Sequence, residues 1–149
     1  MDYQELNSVW TIKREYEREL QHLEDLRSFA IPSTPPLDGM PHAPQPQSSK
    51  VETLATLIVE AEAHLWTLLA EWQSRIYRLS TALQRVAMKE LPKRVLSFHY
   101  VDCQSFNAIA KRLNFSRRYI LNLHDEGLRS LGLDVREMIQ FRQRQSVHY

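Results

Sequence analysis

Arg117, Arg118 and Asn122 are the residues whose chemistry is most telling in this chain. An arginine can grip guanine O6 and N7 with two hydrogen bonds, and an asparagine can do the same for adenine. All three fall in the first turns of one predicted helix within SFNAIAKRLNFSRRYILNLHDEGLRSL, residues 105–131. Tyr119 and Leu121 share those turns. Lys111 and Arg112 precede them and can hold phosphates, as can helix N-termini capped by Ser105 and Ser116. The candidate DNA-binding set is therefore Ser105, Lys111, Arg112, Ser116, Arg117, Arg118, Tyr119, Leu121 and Asn122.

The elements that must position these side chains are legible around them. Ser105 is expected to cap a helix running to Leu113, with small Ala110 allowing a close crossing. Asn114 suits the left-handed conformation that ends a helix, and Phe115 is expected to pack inward as the plug of the turn. Ser116 caps the second helix, whose buried side is Ile120, Leu123, Leu128 and Leu131. This is a helix-turn-helix layout, in which the second helix enters the major groove with its first turns leading.

Other chemistry finds little support. His99 and Cys103 lie four residues apart and could share a helix face, but two ligands do not close a zinc site, so a buried thiol beside a surface histidine is expected. His124 reads as a helix-surface histidine, and Trp66 and Trp72 as core or interface residues. There is no glycine-rich phosphate loop and no nucleophile elbow. The expectation is a non-enzyme with no metal and no cofactor.

The totals suit a folded protein, with hydrophobic residues at 43% and charged residues at 25%. Residues 1–88 carry 8 Lys and Arg against 12 Asp and Glu, and residues 89–149 carry 11 against 6. The C-terminal part is thus the basic one, as a polyanion-binding end requires. The N-terminus lacks the basic start and apolar core of a secretory signal, and no apolar run is read as approaching a membrane span. With a single cysteine, a cytoplasmic, nucleoid-associated setting is expected, with no membrane contact.

Six of the seven prolines fall between 32 and 46, and only three glycines occur in the chain, so the default class is all-α. Tyr3–Ala30 reads as a helix with a seam of Leu6, Val9, Tyr16, Leu20, Leu23 and Ala30, interrupted by Lys13 and Arg27. Residues 32–49 read as a proline-rich linker with a turn at 37–41 and a cap at Ser48 or Ser49. Residues 51–89 form the longest helical pattern, with Val51, Leu54, Ile58, Ala61, Leu65, Leu68, Trp72, Ile76, Leu79, Leu83 and Val86 at 3-4 spacing across one stutter. A further helix is expected over 91–101 and a weak one over 134–146, capped by Asp134 with Val135, Met138 and Ile139 inward. The expected organisation is a helical hairpin or coiled-coil scaffold over 1–89, a DNA-binding head over 90–133 and a short tail over 134–149. The long stripe predicts a homodimer, as does the usual pairing of two half-sites.

Residues 115–123 (FSRRYILNL) and 128–131 (LRSL) resemble the helix-turn-helix of sigma factors that reads the upstream promoter element. The resemblance implies base-facing roles for Arg117, Arg118, Leu121 and Asn122. Arg118 and Leu121 depart from that family's glutamate and arginine, and Gly127 stands where it usually has alanine, weakening the helix. Over nearly the whole chain, the order of charged helix, Asp38-Gly39-Met40-Pro41 linker, long helix and sigma-like head resembles small regulators of phages and prophages of Gram-positive bacteria, similar to the ArpU- and RinA-type late regulators. That implies double-stranded DNA as partner and control of phage late genes. The rival expectation is an adaptor for phage assembly or RNA polymerase, acting through protein contacts of the long helix.

Overall fold

The computed structural model describes residues 1–30 and 47–146. The turn at 37–41 and the Asp38–Pro41 motif lie outside the described residues. Helices α1 (Tyr3–Ala30), α2 (Gln47–Arg85), α3 (Glu90–Leu96), α4 (Phe106–Leu113), α5 (Arg117–Ser130) and α6 (Val135–Ser146) follow in order, with a single π turn over Ser97–Val101 after α3. The chain is all-α: the described residues include no strand. Helix α2 begins at Gln47, ahead of the expected serine cap, and ends at Arg85 rather than 89.

Two compact units share these helices. One comprises Lys13–Glu71, and the other Met1–Ile12 with Trp72–Tyr149. The second therefore joins the head to the first turns of α1 and the last turns of α2.

In the Lys13–Glu71 unit, Leu23 and Leu26 of α1 bury against Ala61 and Leu65 of α2, with Tyr16, Leu54 and Ile58 at the margin. The flanks are tied by Arg27 to Glu62 at 2.7 Å and His64 to Glu19 at 3.4 Å. The seam of α2 follows its expected spacing, apart from Val51, which is exposed. That of α1 does not: Leu26 is buried where Leu20 and Ala30 are not. A strict seven-residue repeat drifts by about 20° per heptad on a straight helix, so the buried face moves off the assumed seam. Helix α2 is long and apolar enough to cross a membrane by length and composition alone. Its buried stripe packs on α1, and 17% of its most apolar stretch is buried.

In the other unit, Tyr3, Leu6 and Val9 of α1 pack with Leu79 and Leu83 of α2, Leu96 of α3, Tyr100, Leu128 of α5 and Met138 of α6. Ile12 is fully buried too, although it lies outside the expected seam. The Trp10 indole donates to the His99 carbonyl at 2.7 Å, and Arg75 donates to the Ser8 carbonyl at 3.0 Å. Asp134 caps α6 by accepting from the Arg136 amide at 2.9 Å. Met138 faces the core as expected, whereas Ile139 is half exposed.

Candidate nucleic-acid interface

The head is assembled from α3, the π turn, α4 and α5, which enclose Val95, Ile109, Ala110, Ile120 and Leu123, flanked by Leu91, Phe98, Phe106 and Leu113. Its local geometry follows from a few polar side chains. Ser105, in extended backbone, accepts from the Ala108 amide at 3.2 Å and starts α4. Asn114 takes φ 58°, ψ 43°, and the Phe115 amide returns to the Ala110 carbonyl at 3.0 Å. That left-handed residue with its backward hydrogen bond closes the helix and reverses the chain. Ser116 then accepts from the Tyr119 amide at 3.2 Å and starts α5.

Gly127 sits against α3. A Cβ there would lie 2.8 Å from Leu96 Cδ1 and 2.9 Å from Leu96 Cγ. The glycine is therefore a condition of the close approach between α3 and α5, rather than only the weak point in the helix that the sequence reading took it to be.

With Ile120, Leu123, His124, Gly127 and Leu128 turned to the core, α5 presents Arg118, Asn122 and Arg129 to solvent. Arg117, Tyr119, Ser116, Lys111, Arg112 and Ser105 are exposed as well; all but Ser105, which starts α4, lie on the last turn of α4, the connecting turn or the first turn of α5. Leu121 is half-buried, and Leu131, expected inside, is also only half-buried. Arg112 lies over the Phe98 ring, 4.2 Å from its centroid, which holds the guanidinium in place while leaving it accessible. Among the described residues, Arg117 and Arg118 make no ion pair with an acidic side chain.

The acids of α5 are engaged. Glu126 meets the Lys89 ammonium at 2.8 Å, and its hydrogen bond, then its charge, hold the lysine above its ordinary pKa. Asp125 lies 3.3 Å from His124 Nδ1.

Three expectations are corrected. Phe115 is not a plug: it is 40% exposed and meets Tyr119, itself 41% exposed, edge to face at 4.9 Å between ring centres. The space below is filled by Ile109, Ala110 and Ile120, and the left-handed Asn114 carries the next side chain outward. His124 is not a surface residue: it is 1% exposed, with Nε2 2.8 Å from the Tyr100 hydroxyl and its ring edge-on to Phe106. Its spacing was the available signal, because it lies four residues after Ile120 and four before Leu128. His99, expected at the surface, is half-buried; Cys103, expected inside, is half-buried too and does not share a helix face with it. Cys103 follows the π turn at φ 52°, while His99 stacks on Phe106 at 4.1 Å and its Nδ1 lies 2.8 Å from the Gln104 carbonyl.

Trp72 packs at the edge of the core, as expected, whereas Trp66 is 72% exposed. Compared with family models, with curated proteins and with solved structures, the chain matches none of them.

Proposed function

We propose that this protein is a sequence-specific DNA-binding regulator, whose α5 reads the major groove and whose genes under control are late genes of a phage or prophage. One observation carries the reading. A capped, tightly closed helix-turn-helix exposes Arg117, Arg118 and Asn122 while its opposite side is buried. Those side chains have the donor and acceptor geometry for guanine and adenine edges. Lys111, Arg112 and the capped start of α5 are suited to flanking phosphates. The regulatory role itself rests on the resemblance to small phage regulators. The protein acts as a homodimer on two half-sites.

The test is fluorescence anisotropy of the full chain against DNA from around its own gene and the downstream late region, with random DNA as competitor, at several salt concentrations. Competitor-resistant binding is expected. With Lys111 and Arg112 on phosphates, each head contributes a log–log salt slope of about −1.8. Binding that is equally weak for every duplex contradicts the reading.

A second reading is favoured by one feature of α2: Val51, Val59 and Trp66 stand well exposed on it. Such a face suits protein contact, as in an adaptor for phage assembly or RNA polymerase. Reversing the charge at Arg117 and Arg118 separates the two, because an adaptor keeps its function and a DNA reader loses it.

A further inference from the structure

The Phe115–Tyr119 pair has no role in the core of the head. Both rings are about two-fifths exposed. The cluster beneath them is closed by Ile109, Ala110 and Ile120, each at most 8% exposed. Phe115 immediately precedes the Ser116 cap, and Tyr119 is the third residue of α5, its amide bonded to Ser116 Oγ. The rings meet at 68°, a mutual edge-to-face packing that fixes them before any ligand arrives. Lys111 and Arg112 precede the pair in the chain and Arg117 and Arg118 lie between its two members, all four exposed.

An exposed apolar spot interleaved in the chain with cations suits a ligand that is anionic around its edge and apolar at a defined point. Duplex DNA has that character in the major groove: phosphates line the rim, and the thymine C5-methyl group is the apolar feature among the base edges. We propose that Phe115 and Tyr119 are specificity-determining residues that receive thymine methyl groups, beside the bases read by Arg117 and Arg118. The inference rests on the DNA-reading function and adds to it a requirement for thymine, as opposed to cytosine, at the position under the rings.

The experiment starts with the full chain selecting duplexes from a random library. In the enriched duplex, each thymine is replaced in turn by deoxyuridine, which keeps every hydrogen-bonding group and lacks only the methyl. At one or two positions, the wild-type protein should bind about fourfold more weakly, the worth of one buried methyl group. At those positions, Phe115→Ala and Tyr119→Ala should no longer distinguish thymine from deoxyuridine. Circular dichroism and melting establish that both variants fold, and the DNA-side substitution decides the matter without any variant. Deoxyuridine tolerated at every position, or equal sensitivity in wild type and both variants, overturns the inference and leaves the DNA-reading function standing. If no duplex is enriched at all, that function falls and takes the inference with it.

Discussion

Replacing Gly127 with alanine sets two opposing effects against each other at the point where α5 is seated on α3. Alanine is favoured over glycine in a helix interior by about 1 kcal/mol. The added Cβ, however, would lie 2.8 and 2.9 Å from Leu96 Cδ1 and Cγ. Leu96 is fully buried, so it can relieve the clash only by disturbing its neighbours. Overpacking of this kind costs about 1–3 kcal/mol. The net expectation is a loss of about 0–2 kcal/mol, or up to about 4–8 °C in melting temperature for a chain of this size. A double-mutant cycle makes the reasoning sharp. Leu96→Ala alone costs about 2–5 kcal/mol, but in that background the clash is gone and Gly127→Ala should stabilise by about 1 kcal/mol. Urea denaturation of the four proteins measures all the terms. Gly127→Ala stabilising the wild-type background to the same extent as the Leu96→Ala background would refute the close-approach argument.

Two further substitutions test the head. Ser116→Ala removes the cap that starts α5 and should cost about 1 kcal/mol in chemical denaturation, with Ser116→Gly costing only a few tenths. Tyr100→Phe removes the hydroxyl that meets His124 Nε2 at 2.8 Å between two side chains that are each 1% exposed. It should cost about 1–3 kcal/mol, whereas a surface histidine would leave stability unchanged.

The parts of this fold that could be read from sequence are those set by local rules. Ser105, Asn114 and Ser116 each act through their own side chain or backbone preference, so their roles as cap, left-handed terminator and cap were visible without tertiary information. The stripe of α2 was visible because a single apolar repeat runs along it. What escaped reading depends on what lies opposite. The burial of Leu26 over Leu20 is set by the partner helix. The exposure of Phe115 is set by a core already filled from α4 and α5. Gly127 looked like a weak helix residue until Leu96 was found against it. His124 sat at core spacing, but the partner that meets its Nε2, Tyr100, lies 24 residues earlier. The π turn over Ser97–Val101 has no local signature in these residues, and its His99 carbonyl is answered from α1 by Trp10.

The central claim is tested most directly by comparing the wild-type protein with the Arg117→Glu, Arg118→Glu double variant in anisotropy titrations against an enriched duplex. Both side chains are exposed, so the variant should melt at the wild-type temperature to within a degree or two. Two lost base contacts at about 1–3 kcal/mol each predict binding weaker by about 30-fold or more, with selectivity over random DNA reduced accordingly. A folded double variant that binds the same duplex with wild-type affinity and selectivity would contradict the account.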